Sequence, residues 1–251
     1  MRYPQEPKSA LVFGSNGNLA EAWVSTLTDL HYEVYGFGKE EVSNSRSLKF
    51  TNYTLFDVTK NSEDQVRELI ESYSADVIIY NSGIDSLPGE GKEKLNEYSL
   101  NSWREIFEVN LIGAVKVLNA ISIASPPPSR VILIGSMYAT SSPITHLYSH
   151  YGPNGQQKHP AYSASKSALL AAMKQYAVTL AARGTILNML SPGAIEGKQD
   201  KFFIEKISER IPANRLGNID DLRSALRFLS DESNKYFIGQ NLIIDGGMNV
   251  W

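Results

Sequence analysis

The chain contains no cysteine. That excludes a disulfide scaffold, a thiol nucleophile and any metal site built on thiolates. Histidine is scarce too, at four residues, so an imidazole-rich metal centre has few ligands to draw on. No uninterrupted apolar run approaches the length of a membrane span. The opening residues, MRYPQEPKSA, lack the apolar core of an export signal. The formal charge is −3, so no basic field awaits nucleic acid or anionic lipid. Internal repeats and low-complexity tracts are also missing. Together these absences lead us to expect a cytoplasmic protein with a small-molecule substrate and no nucleic-acid or membrane partner.

What remains is a 251-residue chain, 42% hydrophobic and 20% charged, the size and composition of one large α/β domain. Strand-like apolar runs fall at 9–14, 32–37, 53–58, 75–83, 129–136, 185–193 and 240–247. Helical patterns fall between them, at 18–30, 62–73, 99–122, 161–182 and 219–231. Near-continuous Val, Ile and Leu strands alternating with helices predict a parallel sheet covered on both faces. Right-handed crossovers then give a doubly wound, seven-stranded Rossmann fold in a single domain spanning 1–251. The stretch 137–160 has no clear periodicity and reads as a substrate-side insertion.

Three local patterns carry chemistry. In FGSNGNLAEA, Gly14 and Gly17 stand just after the first strand, and Ala20 lies three positions on. Glycine lets the backbone turn sharply and approach a pyrophosphate, a small residue lets the helix pack closely, and the helix N-terminus favours phosphate. In AYSASK, Tyr162 and Lys166 are separated by four positions, which places them on one helix face. A lysine ammonium near a phenol favours phenolate, so Tyr162 can take a proton from an alcohol or give one to a carbonyl. Ser136, at the C-terminal end of the fifth strand, stands where open α/β sheets place their ligands.

Taken in order, Gly14/Gly17/Ala20, Asp57 in FDV, NSG at 81–83, Asn110, Ser136, YSASK, SPG at 191–193 and the terminal GQNLIIDGG resemble the short-chain dehydrogenase/reductase family. The resemblance spans nearly the whole chain. It implies an NAD(P)-dependent oxidoreductase that interconverts an alcohol and a ketone or aldehyde by hydride transfer. Its catalytic residues would be Asn110, Ser136, Tyr162 and Lys166, with Asn110 holding a water in a proton relay to Lys166. The cofactor would lie on Gly14, Ser15, Asn16, Gly17, Asn18, Leu19, Lys39, Asp57, Val58, Asn81, Ser82, Gly83, Pro192, Gly193 and Ile195, as well as on Tyr162 and Lys166. Asp57 would accept from the adenine amino group. The resemblance also implies a homodimer or homotetramer built by the helices at 99–122 and 161–182 and by the C-terminal strand. Leu169, Leu170 and Met173 suit such a face or the core equally.

The second strand ends GFGKEE. Gly38 stands where an acid that holds the ribose hydroxyls of NAD would be, and Lys39 can neutralise a 2′-phosphate. This favours NADP over NAD, although Glu40 and Glu41 can turn back toward the ribose. The glycine spacing and the 26-position gap from Ser136 to Tyr162 are more similar to extended members, which act on nucleotide sugars, while the C-terminal quarter is similar to compact ones. The usual threonine after SPG is replaced by AIEGKQ. Three of the histidines, His146, His150 and His159, stand in or beside the insertion with Tyr148 and Tyr151. They suggest a lid gripping a hydroxylated ligand such as a sugar, with a metal site the less favoured reading. GSMYA and the terminal DGGMNVW look similar to dehydrogenases of bacterial surface-glycan and nonulosonate pathways. Two alternatives stay open: a nucleotide-sugar epimerase or dehydratase that retains its cofactor, and a non-catalytic dinucleotide sensor.

Overall fold

The computed structural model describes residues 7–41, 48–85, 94–144, 147 and 158–250. His146, Tyr148, His150 and Tyr151, and with them most of the expected lid, lie outside the described residues. Seven strands, β1 (Ser9–Phe13), β2 (Glu33–Gly38), β3 (Asn52–Leu55), β4 (Val77–Tyr80), β5 (Arg130–Ile134), β6 (Ile186–Pro192) and β7 (Asn241–Ile244), form one parallel sheet in the order β3-β2-β1-β4-β5-β6-β7. The order reverses between β1 and β4, which makes their C-terminal ends the switch point where such sheets open a crevice.

Alternation within each strand feeds two cores. Leu11 and Phe13 point with Ile78, Tyr80, Leu133 and Met189 to one face, packed by α2 (Glu63–Ser72), α4 (Gly113–Ile123) and α5 (Pro160–Ala181). Ala10 and Val12 point with Val34, Ile79 and Ile132 to the other, packed by α1 (Ala20–Asp29) and α7 (Ile219–Ser230). Strands buried on both faces explain the continuous apolar runs. Each fully buried Leu, Ile or Phe contributes roughly 1.5–3 kcal/mol. Local signals set the helix starts. Ser62 and Gln65 make a capping box on α2, Asn218 and Asp221 make one on α7, and His159 caps α5 with Pro160 behind it.

Several expected boundaries shift. The helix expected at 99–122 is α3 (Leu100–Phe107), a π turn (Glu108–Ile112) and α4. This run, Leu100–Ile123, is long and apolar enough to cross a membrane by length and mean hydropathy, contrary to the sequence reading. It is broken at the π turn, buries Asn110 there and packs its apolar side against the sheet core. The expected third strand stops at Leu55, which leaves Asp57 in the turn beyond it. The fourth stops at Tyr80, so Asn81, Ser82 and Gly83 are loop. A helix not anticipated from sequence, α6 (Lys201–Ser208), is capped by Asp200 and closes a third apolar cluster with Met137, Tyr138, Leu147 and Met248. Leu169, Leu170 and Met173 belong to the core, not to an exposed face.

Candidate active site

The glycine turn is built by close approach. Gly14 has φ +75°, and a Cβ there would stand 2.5 Å from the Ser82 nitrogen, so any side chain is excluded by both conformation and space. Asn81 locks this contact. Its Nδ2 donates to the Gly14 carbonyl at 2.8 Å, and its Oδ1 accepts from the Trp23 indole at 2.8 Å. Leu19, the residue preceding α1, makes no side-chain cap bond. Beside the turn runs a cleft lined by Gly14, Asn16, Gly17, Gly38 and Lys39 on one side and by Phe56, Asp57, Val58, Thr59, Asn81, Ser82, Gly83, Ile84 and Val109 on the other.

At the end of β2, Lys39 Nζ is 3.7 Å from Glu40, both side chains being well exposed. The Glu40 carbonyl accepts from Tyr53 Oη and from Asn16 Nδ2. A Cβ on Gly38 would stand 2.5 Å from Tyr53 Oη and 2.7 Å from Asn16 Oδ1. Asp57 is used locally: its Oδ1 accepts from the Thr59 amide at 3.0 Å and the Thr59 hydroxyl at 2.6 Å. Burial opposes its charge, but the Thr59 bonds and Lys60 outweigh that and hold the carboxyl below its ordinary value.

The expected catalytic groups lie together beyond β5. Ser136 is buried in extended backbone and caps the short turn Met137–Ala139 by accepting from the Tyr138 amide at 3.2 Å. Its hydroxyl stands near enough to the Tyr162 phenol to bear on its titration. Burial pushes that phenol well above its ordinary value, Asp85 adds to the rise, and the Ser136 hydroxyl pulls against it. One helical turn on, Lys166 Nζ lies 6.0 Å from the Tyr162 ring centroid and donates to the Ile134 carbonyl at 2.9 Å. Burial lowers Lys166 to about 8, with Asp85 opposing. Gly83 touches this group from the cleft side: a Cβ there would be 3.4 Å from Lys166 Nζ and 3.5 Å from Asn110 Oδ1.

Asn110 sits fully buried on the π turn. Its Oδ1 accepts from the Ile84 amide at 2.8 Å, and its Nδ2 donates to the Ile84 carbonyl at 3.1 Å and to Ser165 Oγ at 3.0 Å. Ser165 donates in turn to the Tyr162 carbonyl at 2.8 Å. Both Nδ2 hydrogens are therefore engaged, and only a second Oδ1 lone pair is left for the expected water.

Most expected cofactor residues line the cleft or its mouth, but some do not reach it through their side chains. Ser15 is completely buried and donates to the Phe37 carbonyl at 3.2 Å, a bond that ties the turn to β2. Leu19 packs on the α1 core cluster, while Asn18 is exposed at the turn. Pro192 ends β6, and Gly193 is required where the chain passes β7, since a Cβ would meet Asp245 Cα at 2.6 Å. Ile195 bridges to Gly217. Phe56, Thr59, Ile84 and Val109 were not anticipated, although each adjoins an anticipated residue. His159 binds no metal through free nitrogens: Nδ1 accepts from Ala161, and Nε2 meets Ser102 Oγ at 2.8 Å.

These features fit a dinucleotide. The glycine turn and the N-terminus of α1 suit a pyrophosphate, Lys39 brings charge to the adenosine end, and Gly83 opens the cleft onto Tyr162 and Lys166. A sequence-family profile described as Enoyl-(Acyl carrier protein) reductase matches residues 38–249. The chain is 28% identical over 257 residues to 3-oxoacyl-[acyl-carrier-protein] reductase FabG of Buchnera aphidicola subsp. Schizaphis graminum, covering 97% of this chain and 98% of that one. It is 28% identical over 255 residues to 2-dehydro-3-deoxy-D-gluconate 5-dehydrogenase of Bacillus subtilis, covering 96% and 94%. Two solved structures share the fold. A short chain dehydrogenase from Leptospira borgpetersenii with bound NAD+ gives TM-score 0.80 at 22% identity, covering 99% and 96%. A putative 2-deoxy-D-gluconate 3-dehydrogenase from Agrobacterium tumefaciens with bound NADP gives 0.81 at 24%, covering 98% of each chain.

Proposed function

The chain belongs to the short-chain dehydrogenase/reductase family and is an NAD(P)-dependent oxidoreductase, and from that premise we propose that Tyr162 is its general acid and base toward a small, polyhydroxylated alcohol or ketone. The observation that carries this reading is the meeting of Tyr162, Ser136 and Lys166 where the cleft ends at Gly83. When bound, the nicotinamide supplies the hydride acceptor or donor.

The remaining work belongs to the chain. Burial keeps the Tyr162 phenol protonated, the form that donates to a substrate carbonyl during reduction. In the reverse direction Tyr162 Oη takes the alcohol proton, with Lys166 stabilising the phenolate. Ser136 Oγ holds the same substrate oxygen. Asn110 fixes Ile84 and, through Ser165, the backbone at Tyr162, so that both walls of the site keep one spacing. Lys39 favours NADP over NAD. The substrate side presents Tyr138, Tyr162, Lys158 and Asp85, a polar surface suited to hydroxyl groups, and the gluconate-type relative acts on such a compound. A homo-oligomer is supported by exposed Leu100, Ile112, Ile123 and Val178 on the α3–α4 run and on α5.

The test is a panel of sugars, sugar acids, sugar phosphates and 3-oxoacyl thioesters, followed by NAD(P)H absorbance with each cofactor. Turnover of a hydroxylated substrate with NADP(H) preferred supports the reading. Turnover confined to acyl thioesters contradicts its substrate class.

A further inference from the structure

A second cation lies against the reactive phenol. Lys158 Nζ is 4.8 Å from the Tyr162 ring centroid and 5.7 Å from that of Tyr138. It forms an ion pair with Asp85, and the two side chains are only 11% and 30% exposed. Asp85 stands two positions past Gly83 in the loop after β4, and Lys158 stands two positions before α5. The pair thus bridges the cofactor side and the entry of the catalytic helix beside the Tyr162 ring.

We propose that the Asp85–Lys158 pair is a positioning element that sets the charge Tyr162 feels, and so the pH at which its phenol passes a proton. This rests on Tyr162 being the acid and base of the reaction. A phenolate spreads negative charge into its ring, so a cation near the ring favours it and a neighbouring carboxylate disfavours it. Held together, Asp85 and Lys158 offset one another in part, with Asp85 the charge that bears on the phenol. Asp85 bears on all three groups here: it raises Tyr162, and it opposes the lowering of Lys166 and of His159 by burial. The other faces add little charge. The turn after β5 brings Ser136 and Tyr138, while α6 and the C-terminal turn bring Phe203, Ile207 and Met248. Partial burial also shields the pair from salt, unlike the Lys39–Glu40 pair at 61% and 70% exposure.

The test reads Tyr162 directly and needs no substrate. Protein carrying tyrosine labelled with carbon-13 at Cζ is saturated with NADP+ and titrated by NMR, Tyr162→Phe assigning the resonance. Asp85→Asn, which leaves Lys158 unopposed, is expected to lower the midpoint by about one pH unit. Lys158→Met, which removes the cation beside the ring and keeps the Asp85 carboxylate, is expected to raise it by about as much. The double variant and Lys158→Arg are expected to lie within about half a unit of the wild type. Midpoints for Asp85→Asn and Lys158→Met that stay within about 0.3 unit of the wild type overturn the proposal, even where turnover falls. Failure of the underlying reading is separate: it is turnover that survives Tyr162→Phe.

Discussion

Asn81 donates its side-chain amide to the Gly14 carbonyl at 2.8 Å, fastening the glycine turn to the loop that follows β4. The same side chain accepts from Trp23 on α1. One residue therefore fixes three elements around the crevice where the strand order reverses. Asn81→Leu leaves the buried Trp23 indole and the Gly14 carbonyl without these partners. The expected cost is about 2–4 kcal/mol of stability, with weaker cofactor binding. Urea unfolding followed by tryptophan fluorescence, together with NADPH titration, checks both. An unchanged urea midpoint contradicts the role.

Lys166 makes stability depend on alkaline pH in a definite direction. Its folded value of about 8 lies below the ordinary 10.5, so between these limits the unfolded chain binds more protons than the folded one. Stability from this group therefore rises with pH across that window, by up to about 1.4 kcal/mol per unit. Lys166→Met has no such titration. The unfolding free energy of the wild type should gain on that of Lys166→Met as pH rises from about 8 to about 10, measured by urea unfolding at each pH. Parallel curves contradict the depressed value.

The adenosine end gives a cofactor prediction. Because the exposed Lys39–Glu40 contact is worth little, Lys39 can turn to a phosphate. Lys39→Ala should weaken NADP+ by about 5- to 50-fold and leave NAD+ within about twofold. Gly38→Asp alone should bind both cofactors poorly, because its Cβ meets Tyr53 Oη and Asn16. Gly38→Asp combined with Tyr53→Phe, which removes the closest contact, should recover NAD+ binding. Isothermal titration with each cofactor distinguishes these outcomes.

What the sequence made readable was what neighbouring residues encode. The strand runs, the Gly14–Gly17 turn and the four-residue step from Tyr162 to Lys166 are local patterns, and all seven strands form, with β3 and β4 ending early. Asn110 stands out in the sequence only through the family resemblance. The π turn around it does not stand out, because it depends on Ile84 accepting and donating to one amide across 26 positions. Asp57 looked free for a base, yet Thr59 takes its Oδ1, a side-chain choice that the FDV pattern leaves open. Leu169, Leu170 and Met173 could serve core or interface on sequence alone; the sheet face decided for the core. Lys158 carried no sequence signal, because its partner Asp85 stands 73 positions away and meets it only through the fold.

The central claim is that one phenol moves the substrate proton, and Tyr162→Phe tests it most directly. With a substrate identified from the panel, the account predicts that kcat/KM falls about 1,000-fold while NADPH affinity stays within about threefold. A Tyr162→Phe protein that retains more than about a tenth of wild-type kcat/KM contradicts it.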